Sequence, residues 1–281
     1  MASREGGSLA ATREERVQLG LGDDIEQSGR IGDEKLAEAA ATAVSQVRRA
    51  RKLGCSRVEV LVTSPGRQAD NGTELVARIA DAAGVATHIL SVEEEGELAW
   101  RGALAGTDCA RGPVAVCDVG GGSAQIAVGD SSGPPSSITS IDIGSLRLTR
   151  RAFRNDPPDA EDVARAARTV AEQLEGITPP AVESAIAVGG SARSLRRVIG
   201  DELTEESLLL AVGRLSKRSS KKIAKEYGVG DARARTMTAG AMIFLDLQRR
   251  LGVPLRVGRG GLREGAALRL LETGAAERRS A

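Results

Sequence analysis

The stretch from Asp118 to Asp130, DVGGGSAQIAVGD, sets a carboxylate at the end of an apolar run, follows it with three glycines and a hydroxyl, and then alternates apolar residues. Glycines at Gly120, Gly121 and Gly122 let successive backbone N–H groups turn toward one point without Cβ interference, a concave set of donors that suits a phosphate. Asp118 supplies charge for a hydrated Mg2+, and the Ser123 hydroxyl can donate to a phosphoryl oxygen. The same spacing also describes a tight hairpin turn with an Asp beside it. The stretch is not a Walker A loop, because no Lys follows, nor a dinucleotide fingerprint, because a strand rather than a helix follows.

Two other stretches carry charge in a pattern. SVEEEGEL, from Ser91, opens a helix with Glu93, Glu94 and Glu95, which is both good helix-start chemistry and a source of a general base. SKRSSKKIAKEYG, from Ser216 to Gly228, spaces Lys217, Lys221 and Lys225 four apart with Arg218 and Lys222 beside them. On one helix these five cations share a face, which is either a solvated surface or a track for a polyanion.

Composition removes several function classes. Lys+Arg 39 against Asp+Glu 38 leaves a net charge of +1, so no global field draws the chain to nucleic acid or to a membrane surface, and anion binding has to be local. Trp100, Phe153, Tyr227 and Phe244 are the only aromatics, too few for base-stacking platforms. Cys55, Cys109 and Cys117 form no C-x-x-C pair and His88 is the single histidine, so zinc ligand sets and histidine triads cannot be assembled. With no apolar run of membrane-spanning length and a polar first thirty residues, a soluble cytoplasmic protein is expected.

The elements that must hold these residues read as α/β. Asp33 to Lys52 places Leu36, Ala40, Val44 and Val47 at helical steps, and Gly54 stops it. Val58 to Thr63 reads as a buried strand, Thr73 to Ala83 as a helix capped by Asn71, Thr87 to Leu90 as a strand and Glu93 to Gly106 as a helix. After Gly112-Pro113 the pattern becomes hairpin-like through Asp118 and Gln125 to Ile143. A helix after Asp159 follows, then a strand from Ser184 to Val188 that runs into Gly189-Gly190-Ser191, then several helices. The expected organisation is a shortened N-terminal α/β domain at 15–111 and a C-terminal α/β domain at 112–272, with loose termini at 1–14 and 273–281.

The order strand, D-x-G-G-G-S, strand resembles the second phosphate-binding motif of the actin-like ATPase superfamily. Its surroundings narrow the resemblance to the exopolyphosphatase and guanosine pentaphosphate phosphohydrolase (Ppx/GppA) family. VTSPGRQADNG (62–72), SVEEEGELAWRGALAG (91–106), IGSLRLTRRAFRNDPP (143–158), AVGGSARSL (187–195) and GGLREGAALRLL (260–271) all follow that family in order, from about Arg16 to about Leu271. The resemblance implies two actin-like (ribonuclease H-like) α/β domains with a cleft between them and a connecting strand at 143–158. It places the catalytic acid on Glu95, a phosphate-contacting Arg on Arg67, a substrate contact on Asn71, which can equally be a helix cap, phosphate on Gly120–Ser123 and on Gly189, Gly190 and Ser191, and Mg2+ on Asp118.

Two departures stand out. The family's first phosphate loop, D-x-G-S-N-S, has no counterpart before ERVQLGLG, and Gln125 stands where the family has Glu. The resemblance implies a phosphoanhydride hydrolase that releases terminal phosphate from inorganic polyphosphate or guanosine pentaphosphate, with Glu95 activating water. The departures keep open a second expectation, a catalytically impaired member that binds polyphosphate or guanosine polyphosphate as a regulatory protein. A kinase or ATPase of the same superfamily fits the flanking motifs less well. A shortened first domain also raises the expectation of a homodimer.

Overall fold

Helix α2, Asp33–Lys52, forms because Leu36, Ala39, Ala40, Ala43 and Val47 fall on one buried stripe, while Asp33 and Glu34 begin it and Arg49, Arg51 and Lys52 end it, the sense that complements the helix dipole. In the computed structural model the described residues are 2–5, 8–11, 13–15, 17, 19–107 and 112–280, with side chains described from 13 to 273 within those ranges. Cys109 lies outside them.

The chain divides into two units, residues 1–95 with 266–281, and residues 96–265. In the first, β1 (Ala2–Glu5) pairs antiparallel with β2 (Ser8–Ala11), followed by α1 (Leu21–Ser28) and α2. Then come β3 (Val60–Val62), α3 (Ser64–Gln68), α4 (Gly72–Ala83), β4 (Thr87–Ile89) and the start of α5 (Val92–Ala105). β3 and β4 run parallel with Val62 opposite Ile89, and Ile31, Leu36, Val62, Leu75 and Ile79 form the core beneath them.

The second unit is built on a six-stranded mixed sheet. Its strands are β5 (Pro113–Val119), β6 (Ala124–Asp130), β7 (Ser137–Ile141), β8 (Ser184–Val188), β9 (Glu202–Leu203) and β10 (Leu255–Val257), in the order β7-β6-β5-β8-β10-β9. The helices are α6 (Ser145–Ala152), α7 (Ala160–Gln173), α8 (Gly189–Ile199), α9 (Glu205–Leu215), α10 (Ser220–Tyr227), α11 (Asp231–Leu251) and the start of α12 (Leu262–Ser280). β5 is antiparallel to β6 and parallel to β8. Alternate residues of β5 serve two cores. Ala115, Cys117 and Val119 face a large cluster with Leu148, Leu195 and Phe244, and Val114 and Val116 face Trp100 and Ala103 of α5.

Glycines fix how α5 lies on that unit. A Cβ on Gly265 would sit 1.9 Å from the Leu98 carbonyl oxygen, one on Gly102 would sit 2.0 Å from that of Gly261, and one on Gly96 would meet Ile138 at 2.5 Å. Gly102, Gly260 and Gly265 are therefore backbone-to-backbone contacts, and Gly96 packs on the Ile138 side chain. This packing places α5 from Gly96 onward with the second unit, whereas the expected domain boundary lies at 111/112.

Four local expectations need correction. Residues 2–5 and 8–11 are paired strands where a loose leader was expected, and α12 continues to Ser280 through the expected loose tail. Residues 145–152 form a helix where a connecting strand was expected, because the amides of Ser145, Leu146 and Arg147 bond to the carbonyls of Gly120 and Gly121. The cationic stretch is not one helix. The Ser219 side chain accepts from the Lys222 amide and starts α10 afresh, which leaves Lys217 and Arg218 in the turn before it.

The link from α6 to α7 ends in a dense anchor. Asp159 caps α7, and the buried Asp162 carboxylate accepts from the Asn155 amide and pairs with Arg165 at 2.9 Å. Burial disfavours the charged form of Asp162, but the Asn155 and Arg154 amides and Arg165 outweigh it and hold the carboxyl at about 2. This lowered value stabilises the fold above the ordinary carboxylate range, and the contribution is lost as pH falls through about 2. Asp162→Asn should therefore flatten the acid side of a stability-against-pH curve between roughly pH 4 and pH 2, read by urea midpoints. Gly265→Ala should destabilise by about 3 kcal/mol, whereas Gly213→Ala, in helix α9 with nothing near its Cβ position, should stabilise by about 0.5–1 kcal/mol. Thermal melts of the two variants read the contrast.

Candidate functional site

The parallel register of β5 on β8 sets Asp118 opposite Val188, so the Asp118 carboxylate arrives beside the start of α8. Gly189 has φ +86°, and a Cβ there would lie 2.2 Å from an Asp118 carboxylate oxygen. The second glycine pair is thus the entry to a helix, with Gly190 against the Arg233 guanidinium: a Cβ on Gly190 would stand 2.5 Å from its Nη2. Ser191, expected to touch substrate, is buried and donates to Ser145 Oγ at 3.2 Å, and Ser145 Oγ donates to the Gly120 carbonyl at 3.2 Å. The two glycine turns are tied together from behind by these hydroxyls.

The hairpin turn itself is held by its carbonyls. Gly120 O accepts from the Ser145 amide at 2.9 Å, and Gly121 O accepts from the Leu146 and Arg147 amides at 3.0 Å. Gly144 makes the approach feasible, since a Cβ there would be 2.4 Å from the Gly121 carbonyl. The amide of Gly120 bonds to Ser123 O, while those of Gly121, Gly122 and Ser123 enter none of these bonds. A turn fixed through its carbonyls leaves N–H groups as the polarity it offers to an anion. Ser123 is buried, and its Oγ accepts from Gln125 Nε2 at 3.0 Å.

The antiparallel register places Gln125 directly opposite Asp118. Such pairs bring their Cβ atoms to roughly 5 Å. A Glu at 125 would set two carboxylates side by side, an arrangement that a divalent cation relieves. Among the described residues no group of three His, Cys, Asp or Glu side chains converges as a metal site. Behind Asp118, burial and the Asp118 charge push the Cys117 thiol up to about 12, so no thiolate forms there at neutral pH.

In the first unit, Ser91 and Glu94 close a capping box: Glu94 donates its amide to Ser91 Oγ at 3.1 Å, and Ser91 donates its amide to Glu94 at 2.8 Å. With Glu94 committed to the cap, the buried Glu95 is the carboxylate turned inward. Its Oε2 stands 2.6 Å from Arg67 Nη2, at an angle that makes an ion pair without an aligned hydrogen bond. Arg67 also donates to the Leu90 carbonyl at 2.7 Å. Asn71 occupies the N-cap position of α4, as expected, but its side chain does not cap the helix. Its amide brackets Ile31, accepting from the Ile31 N–H and donating to the Ile31 carbonyl, both at 2.9 Å, and it makes no side-chain bond to α4. Of the five cations, Lys221, Lys222 and Lys225 are exposed on α10, Lys217 is exposed in the preceding turn, and Arg218 pairs with Glu226 at 2.9 Å.

The profile of the Ppx/GppA phosphatase family matches residues 1–273. The chain belongs to the Ppx/GppA family. Exopolyphosphatase 2 of Mycobacterium tuberculosis is 33% identical over 168 residues, covering 58% of this chain and 52% of the relative, so the match spans about half of that protein's length. Exopolyphosphatase 1 of Mycobacterium bovis is 25% identical over 288 residues, covering 96% of this chain and 83% of the relative. In fold, an exopolyphosphatase of Cytophaga hutchinsonii superposes with a TM-score of 0.85 at 18% identity, covering 97% of this chain and 93% of that one. The Aquifex aeolicus family member superposes at 0.81 with 24% identity and the same coverages. These likenesses carry the actin-like α/β fold expected from the motifs.

Ppx/GppA motifs located Asp118, the glycine turns, Arg67 and Glu95, but not the residues that hold them. Gly144, Ser145 and Arg233 were missed, although IGSLRL and DARARTM bracket them in the sequence. The opposed Asp118 and Gln125 give a direct test. Gln125→Glu should lower stability by roughly 2 kcal/mol in chelator, with Mg2+ restoring most of the loss, whereas wild type should respond little to Mg2+; differential scanning fluorimetry separates the two.

Proposed function

We propose that this chain is a phosphohydrolase of the exopolyphosphatase type, which removes terminal phosphate from inorganic polyphosphate or guanosine pentaphosphate. The observation that carries this reading is the β5–β8 register, which sets a carboxylate, an amide-rich glycine turn and a glycine helix entry at one end of one sheet. The amides of Gly121, Gly122 and Ser123 and the Ser123 hydroxyl hold phosphoryl oxygens, and the α8 entry at Gly189-Gly190 adds helix-terminal N–H groups. Lys221, Lys222 and Lys225 attract the remaining polyanion in a salt-dependent way.

Asp118, with Ser123 and Gln125 beside it, suits a hard cation that keeps several waters and binds mainly through substrate oxygens, as Mg2+ does. When bound, Mg2+ would neutralise charge on the phosphoryl oxygens. Glu95 is the general base. A water oxygen bonds to the terminal phosphorus, Glu95 takes the proton, the bond from that phosphorus to the bridging oxygen breaks, and the shortened chain leaves on that oxygen. Arg67, spanning Glu95 and the Leu90 carbonyl, fixes the carboxylate and presents charge to the transferred group.

One observation favours a second reading. Gln125 donates to Ser123 and brings no negative charge to face Asp118, so the turn can bind phosphate while turnover is impaired. Phosphate release from polyphosphate in Mg2+ tests the first reading, and Glu95→Gln should reduce it by about 10²–10³. Equal rates for the two proteins sink the enzyme. Calorimetric binding of polyphosphate without release supports the binding protein instead.

A further inference from the structure

Among the described residues, two buried side-chain oxygens of the first unit lack an aligned hydrogen bond near one end of the β3–β4 pair: Ser64 Oγ, and Glu95 Oε2, which has only its ion pair with Arg67. Ser64 is 5% exposed and Glu95 is 7% exposed. A buried hydroxyl with no partner is unfavourable and is uncommon in folded proteins, so an orphan of this kind points to a ligand or a fixed water.

The chain path brings the two residues to the same end of the β3–β4 pair. β3 and β4 are parallel neighbours with Val62 opposite Ile89, and the Leu90 amide donates to the Val62 carbonyl, so the segments starting at Thr63 and at Ser91 leave the same end of that sheet. Ser64 and Arg67 are three residues apart on α3, the spacing that puts side chains on one face with Cβ atoms roughly 5–6 Å apart. Arg67 in turn lies 2.6 Å from Glu95 and bonds the Leu90 carbonyl. α3 has little freedom to move away. A Cβ on Gly72 would sit 1.8 Å from the Gly66 carbonyl, and one on Gly66 would sit 2.6 Å from Val62.

We propose that Ser64 is a third member of the Glu95 group, its hydroxyl and Glu95 Oε2 holding between them the water that attacks phosphorus. This rests on the phosphohydrolase reading and deepens it. Arg67 orients the carboxylate, Ser64 orients the water, and the hydroxyl accepts or donates as the water turns its second hydrogen away from Glu95. The water's oxygen bonds to phosphorus, its proton passes to Glu95, and the Ser64 hydroxyl keeps its own proton throughout. A threonine hydroxyl can make the same bond and an alanine methyl cannot.

Steady-state kinetics on polyphosphate with the full chain, alongside thermal melts, test the proposal. Ser64→Ala should lower kcat roughly tenfold with KM unchanged, Ser64→Thr should stay within about threefold of wild type, and Ser64→Ala should melt no lower than wild type, because it removes an unpartnered group. A residue with a purely structural role would lower the melting temperature and leave kcat intact. Wild-type kcat in Ser64→Ala, or a loss that Ser64→Thr shares in full, overturns the inference while leaving the phosphohydrolase reading standing. A wild type that releases no phosphate overturns both together.

Discussion

The fit of Gly189 beneath the Asp118 carboxylate is the contact on which the arrangement of the second unit's two glycine turns depends. With φ +86° and only 2.2 Å between a Cβ position and a carboxylate oxygen, any side chain there would force the β5 and β8 ends apart. The register of Asp118 on Val188 would go with it, and so would the alignment of the two glycine turns. Local backbone freedom and long-range strand pairing meet at this one residue, and neither alone would place a carboxylate at a helix entry.

The same device recurs wherever a chemical group is held. Gly144 lets the first turn of α6 reach the Gly120 and Gly121 carbonyls, Gly72 lets α4 close on α3 under Arg67, and Gly96 lets α5 lie on Ile138 immediately after Glu95. At Gly144 and Gly72 the missing Cβ brings backbone against backbone, and at Gly96 it brings backbone against the Ile138 side chain. Glycine inside a helix costs helix stability, so Gly96, Gly102 and Gly265 are explained by contact and not by local preference.

This separates what was legible in the sequence from what was not. α2 was readable to the residue at both ends, because its apolar steps, acidic start and basic end agree. The α/β alternation and the positions of Asp118, Glu95 and Arg67 were readable from motifs. α6 was not: the family resemblance of 143–158 implied a connecting strand, and the Gly120 and Gly121 carbonyls, more than twenty residues earlier, anchor the first turn of a helix there. Asn71 looked like a cap because capping is local, whereas its partner is the backbone of Ile31, forty residues away. The cationic stretch kept its spacing but lost its single face to Ser219, a residue whose capping chemistry outweighs the charge period.

The pairing of Asp118 with Gln125 has a consequence for how the glycine turn is stabilised. Two carboxylates directly opposite on adjacent strands repel, and a turn built around them is most stable with a cation present. With an amide at 125 the repulsion is gone, and the Nε2 group donates to Ser123 Oγ, which leaves that hydroxyl's proton available to an incoming oxygen. The turn is then organised by its own hydrogen bonds, from α6 through the Gly120 and Gly121 carbonyls and from β6 through Gln125. If the turn holds phosphate as proposed, this organisation gains donors at the expense of negative charge, so phosphate affinity would depend less on a cation and the field orienting a metal-linked water would be weaker. On the proposed reading, an amide at 125 shifts the balance of the turn from holding a metal toward holding a phosphate, and the strand register is the same for either residue.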